Sequence, residues 1–178
     1  EAFSGKIGPT SFNYTGMLLL LLQDGKIVDL YELSDELAVR FATLCHDLGK
    51  ARTPSHILPS HHGHGDRGIP LIQELCQRLK VPNECRDLAL LVSELHSLVH
   101  TALQLRPATM LKLFDRLDVW RKPERLSQLL LCCQADFYGR LGFAEREYPE
   151  PDYVRQAYAA AAAVAVRPIV EAGYTGEA

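Results

Sequence analysis

From Ser34 onward, apolar residues recur every three or four positions, and no stretch alternates apolar with polar residues at a period of two. Such spacing calls for helices laid on a shared core and argues against a half-buried sheet. Leu37, Phe41, Leu44 and Leu48 form the first stripe, with Ser34 as its N-cap and Asp35 and Glu36 suited to the positive first turn. Ile69, Ile72, Leu75 and Leu79 mark a second helix. Pro82 opens a third as a first-turn proline, with Leu88, Val92, Leu95 and Val99 on one face. Pro107 opens a fourth through Leu111, Phe114 and Leu117, and Pro123 a fifth through Leu126, Leu130, Cys133 and Phe137. The alanine-rich run 157–165 predicts a further helix up to Pro168, with Gly173 as a stop. The expected class is all-α, one helical domain over residues 34–178.

Residues 1–33 read differently. Two apolar runs flank Asp24-Gly25, which predicts either a β-hairpin with a type I′ turn or a helix broken at Gly25. With 178 residues, 47% of them hydrophobic, the chain can fill one core and is too short to promise two. It opens at Glu1 without an initiator methionine, so a fragment of a longer protein is expected. A net charge of -3 gives no global reason to bind nucleic acid, so such binding requires a local patch. The five cysteines (45, 76, 85, 132 and 133) form no C-x-x-C pair, and their apolar settings fit reduced thiols in a cytoplasmic protein. No secretory signal is legible, and the leucine run 18–22 is too short to span a bilayer, so no membrane partner is expected.

Chemistry concentrates first in Leu44-Cys45-His46-Asp47-Leu48-Gly49-Lys50. Helix neighbours point about 100° apart, so His46 and Asp47 can share an ion only near a helix end, which Gly49 marks as a left-handed cap. The pair reads either as ligands to a first-row divalent ion or as a C-capping imidazole beside a solvated carboxylate. His61, His62 and His64 lie among Gly63, Gly65 and Gly68, where the backbone can approach a ligand closely. His96 and His100, four residues apart, can face one cleft or sit as satisfied core histidines. Asp115 adjoins the Leu111, Phe114 and Leu117 stripe, so it is drawn inward and needs a partner, for which a basic residue such as Arg116 or Arg121 would serve. Lys50 and Arg52 are placed to neutralise a phosphate. Arg116, Arg121, Lys122 and Arg125 surround Trp120 as a patch that either meets an RNA backbone or is merely solvated.

The runs LCHDLGK, HHGHG, LVSELHSLVH, LKLFDRLDVWRKPER and VEAGYTG, taken in that order, resemble the HD phosphohydrolase domain over roughly residues 34–176. Within it they are most similar to the form at the C-terminus of bacterial CCA-adding tRNA nucleotidyltransferases. The resemblance implies an HD helical bundle in which His46, Asp47 and Asp115 hold nickel, magnesium or manganese. It places His64 toward the metal or its phosphate and His61 and His62 at a substrate rim, with His100 facing the same cleft. His96 would be a general acid or a support for the metal, and Lys50 or Arg52 would offset phosphoryl charge. The implied activity is hydrolysis of 2′,3′-cyclic phosphates and of 2′- or terminal phosphates on nucleotides or RNA 3′ ends. The alternative is a non-catalytic module that positions tRNA or a homodimer partner. Two departures stand out: no histidine precedes His46, and the second histidine motif reads His96-Ser97 rather than His-Asp. Both predict weakened ion binding.

Overall fold

A computed structural model describes residue 34 and residues 36–140 and 142–173. The segment expected to be a hairpin or broken helix lies outside these residues, as does the end of the VEAGYTG run. The described residues contain no strand and seven α-helices: α1 (Leu37–Cys45), α2 (His64–Leu79), α3 (Asn83–His100), α4 (Pro107–Leu117), α5 (Glu124–Tyr138), α6 (Glu150–Ala162) and α7 (Val166–Glu171). None of these helices is long and apolar enough to cross a membrane.

The organising element is α3, which packs against α1, α2, α4, α5 and α6. Its Leu88, Ala89, Val92, Leu95 and Val99 recur at helical spacing and are all buried, which lets one helix serve as the axle of the bundle. Val39 and Ala42 of α1, Ile72 of α2, Leu113, Phe114 and Leu117 of α4, Leu129 and Leu130 of α5 and Val154 of α6 complete the core. All five cysteines are free and buried, filling core space as expected of reduced thiols. Burial pushes the Cys45 and Cys132 thiols up to about 12, so they are chemically quiet.

Several boundaries differ from the sequence expectation. The cap of α1 is Glu36 rather than Ser34; the Ser34 hydroxyl instead accepts the Glu36 amide hydrogen at 3.1 Å, and the helix begins two residues later. The alanine-rich helix ends at Ala162, and Pro168 falls inside the first turn of α7, where a missing N–H costs no hydrogen bond. Gly49 is not a left-handed cap but part of a 3₁₀ turn over Leu48–Arg52. Its value is smallness. A Cβ on Gly49 would lie 1.8 Å from the His64 carbonyl oxygen and 2.5 Å from the Gly68 nitrogen. Gly65 makes a similar approach to α3, where a Cβ would meet the Ser93 carbonyl oxygen at 2.4 Å. These contacts seat the start of α2 against both the 3₁₀ turn and α3, and so bring His64 to the residues that follow.

Candidate metal centre

His46 is the C-cap of α1, and the chain turns immediately into the 3₁₀ segment with Asp47 at φ −102° and ψ 5°. This break in helical phase allows two adjacent side chains to face one point. The capping contact is present: Nδ1 lies 2.7 Å from the Thr43 carbonyl oxygen, while Nε2 turns into the cluster, and Asp47 is largely buried rather than solvated.

The same division recurs in two other imidazoles. His64 Nδ1 lies 3.0 Å from the His61 carbonyl oxygen. His96 Nδ1 lies 2.9 Å from the carbonyl oxygen of Val92 and 3.0 Å from that of Ser93. A carbonyl only accepts, so each Nδ1 carries hydrogen, and the Nε2 of each ring, once neutral, is left to offer its lone pair inward. The two inward atoms of His64 and His96 are 2.9 Å apart. Carboxylate oxygens close the set: Asp47 Oδ1 is 3.1 Å from His64 Nε2 and 3.8 Å from His96 Nε2. His46 Nε2 is 3.3 Å from Asp47 Oδ2 and 3.6 Å from Asp136 Oδ1.

Three of these separations, 2.9, 3.1 and 3.3 Å, suit donors around a shared ion. Donors bound to one divalent ion at about 2.0–2.2 Å sit roughly 2.9–3.5 Å from one another. The ligand atoms of His46, Asp47 and His96 all lie within 4.8 Å of each other. His46 Nε2 and Asp47 Oδ1 are buried yet make no well-directed hydrogen bond, a costly state unless something else occupies their lone pairs. The donor set of imidazoles and carboxylates therefore fits a first-row divalent ion.

Electrostatics divide the imidazoles: without an ion His46 holds a proton, whereas His96 does not. Burial pulls the His46 pKa down, but Asp136 and Asp47 outweigh it and raise it to about 10. Asp47 and Asp136 are held well below the ordinary carboxylate range despite their burial, Asp47 by His46 and His64, Asp136 by His100 and His46. His96 is pushed down to about 3 by burial and by the charge of His46, so it is a neutral, lone-pair-bearing group.

Asp115, expected as the closing carboxylate, is not brought here. The buried face of α4 is Met110, Leu113, Phe114 and Leu117, and Asp115 follows Phe114 by about 100°, out of the core. Leu111, which defined the expected stripe, is itself exposed. The Asp115 Oδ1 accepts the Trp120 indole N–H at 2.7 Å instead. Asp136 of α5 takes that place beside His46. Its position beside Phe137 and one turn beyond Cys133, on a core-facing stripe, is the signal that could have identified it.

The other expected residues divide into near and far. Lys50 ion-pairs with Asp47 at the edge of the cluster. His100 reaches Asp136, with Nε2 2.8 Å from Oδ2. His61 is half-buried, its Nδ1 2.7 Å from the Thr53 hydroxyl. Its pKa is lowered by burial and by Lys50. His62 and Arg52 are exposed. Arg67, unexpected from the sequence, donates to the Thr53 hydroxyl and the His61 carbonyl at the same rim. The basic patch is largely neutralised from within. Arg116 forks onto Glu94, with its two closest contacts at 2.7 Å. Arg121 forks onto Asp118 at 2.8 Å, and Arg125 lies 3.7 Å from the same carboxylate. Lys122 is exposed beside them.

A family model for the HD domain matches residues 19–120. A multifunctional CCA protein of Tolumonas auensis is 89% identical over 145 residues, an alignment covering 82% of this chain and 35% of that protein. Another, from Psychromonas ingrahamii, is 52% identical over 162 residues, covering 91% of this chain and 39% of the relative. The chain thus spans little more than a third of the relatives it matches. No solved structure matches it significantly.

Proposed function

This chain belongs to the HD domain family, and on that premise we propose that its histidine and carboxylate cluster is the centre of a metal-dependent phosphohydrolase, carried by a multifunctional CCA protein. His46, Asp47, His64, His96 and Asp136 would hold the ion, and a set with three imidazoles favours nickel over manganese or magnesium. A bound divalent ion polarises phosphoryl oxygens and makes water nucleophilic at neutral pH. The chain's own groups do the rest. His96, kept neutral, is suited to giving a lone pair rather than a proton, which favours a ligand role over that of general acid. Lys50 holds Asp47 in place and brings positive charge to the edge where phosphoryl oxygens would lie. Thr53, His61 and Arg67 offer further donors to the anion at the rim.

The substrates we infer are 2′,3′-cyclic phosphates and 2′- or terminal phosphates at nucleotide or RNA 3′ ends, the phosphate esters that the HD resemblance implies. The observation that carries this reading is the grouping of the His46, Asp47 and His96 ligand atoms within 4.8 Å of one another, with His64 beside Asp47 and His96 and with Asp136 beside His46. Hydrolysis of 2′,3′-cyclic AMP with added manganese or nickel tests it. Turnover should disappear with chelator and in His46→Ala. Metal-independent turnover, or full activity in His46→Ala, would refute it. The alternative, a module that positions tRNA without catalysis, draws less support because Arg116, Arg121 and Arg125 already face carboxylates. Salt-dependent RNA binding lost in Arg121→Ala, with no turnover in the unsubstituted protein, would favour it.

A further inference from the structure

One imidazole beside the cluster is oriented against the pattern of the rest. His46, His64 and His96 each spend Nδ1 on a backbone carbonyl. His100 Nδ1 instead meets the hydroxyl of Tyr148 at 2.7 Å, from a residue 48 positions further along the chain. Burial pushes the Tyr148 phenol above its ordinary range, so it keeps its hydrogen to donate. With that hydrogen on the lone pair of Nδ1, the ring's own hydrogen belongs on Nε2, which lies 2.8 Å from Asp136 Oδ2 as a close polar contact rather than a well-directed hydrogen bond. Arg140 approaches the same oxygen at 2.5 Å. Oδ2 is therefore occupied twice over, while Oδ1 faces His46 Nε2.

We propose that Tyr148 is a positioning residue of the metal centre, whose hydroxyl fixes the ring hydrogen of His100 on Nε2 and so anchors Asp136 with Oδ1 toward the ion. The proposal rests on the metal-centre reading above. His100 is then a holder of a ligand rather than a ligand or a substrate contact. Tyr148 suits this task because it is itself fixed. Its ring stacks on Phe137 at a centroid distance of 4.1 Å with planes 4° apart, and Phe137 is the immediate neighbour of Asp136 on α5. Phe143 packs edge-on against Phe137 at 5.2 Å, and the Arg146 guanidinium covers Phe143 at 4.1 Å, which ties down the segment leading to Tyr148. A partner that orients a ligating group commonly contributes 10- to 100-fold in metal affinity.

Tyr148→Phe removes the hydroxyl and keeps the stacked ring. Cobalt(II) is the probe, with affinity read by chelator competition and ligation by the visible spectrum, on the full chain. Tyr148→Phe should bind cobalt roughly 10- to 100-fold more weakly, with an altered spectrum. Its thermal unfolding after chelation should stay close to that of the unsubstituted protein. In a His100→Gln background, where the amide donates to Asp136 without help, Tyr148→Phe should have no further effect on affinity, and this second comparison stands even if Tyr148→Phe alone folds poorly. Unchanged cobalt affinity and spectrum in Tyr148→Phe, or an undiminished effect in the His100→Gln background, overturns this proposal alone. No cobalt binding by the unsubstituted protein overturns the metal reading, and this role with it.

Discussion

His64 Nε2 and His96 Nε2 face each other at 2.9 Å, although both rings have committed their Nδ1 hydrogens to backbone carbonyls. Two inward lone pairs at that distance repel unless a proton or a cation joins them. His64→Ala is therefore expected to weaken cobalt(II) binding by roughly 10- to 100-fold while leaving helical circular dichroism intact. Unaltered affinity in this variant would remove His64 from the donor set.

Ion binding should release protons. Without an ion, His46 has its pKa raised to about 10, because Asp136 and Asp47 outweigh the effect of burial. A ligand must give up that proton, so apparent metal affinity should rise between pH 6 and pH 8, by up to about tenfold per unit for one proton released. The stability of the chelated protein has the opposite sign at the alkaline end. A raised histidine pKa contributes fully below the ordinary histidine range and is lost as pH climbs through about 10. The lowered Asp47 and Asp136 values contribute above the ordinary carboxylate range and are lost on acidification. Thermal unfolding across this range should show a plateau that falls at both ends. Metal affinity independent of pH would mean that His46 is not a ligand.

The two aspartates separate cleanly. Asp136→Asn should lose most cobalt binding, since it removes charge beside His46. Asp115→Asn should bind cobalt normally, because its carboxylate only accepts the Trp120 indole hydrogen at the surface. The reverse ranking in a cobalt titration would restore Asp115 to the site.

That contrast also marks how far the sequence could be read. Helical periodicity located the five core helices, and the His46-Asp47 pair at a helix end was legible because adjacent residues can converge only where helical phase breaks. The carboxylate that completes the cluster was not legible by adjacency to an apolar stripe, since Asp115 and Asp136 both satisfy that test. Which of them is inward depends on the true face of each helix, and Leu111 misled by being an exposed leucine. The glycine-rich setting drew attention to His61, His62 and His64 alike, and only the family resemblance singled out His64. The reason it reaches His96 lies in contacts between segments distant in sequence, Gly49 against His64 and Gly65 against Ser93. Tyr148 carried no local signal.

Gly49→Ala tests that packing. Its added carbon would collide with backbone atoms of His64 and Gly68, which cannot swing away as a side chain can. The variant should lose about 1–3 kcal/mol or more of stability and bind cobalt more weakly, because relief requires α2, and His64 with it, to move. Chemical denaturation and a cobalt titration on the same sample check both. Weakened stability with unchanged affinity would separate the packing from the site.

The most direct measurement is metal content per chain, read by native mass spectrometry on protein purified without chelator and resupplied with manganese or nickel. One specifically bound ion per chain is predicted for the unsubstituted protein and for Asp115→Asn, with none retained in His46→Ala or Asp47→Ala. An absence of bound metal in the unsubstituted protein, or one ion surviving in both His46→Ala and Asp47→Ala, would contradict the account.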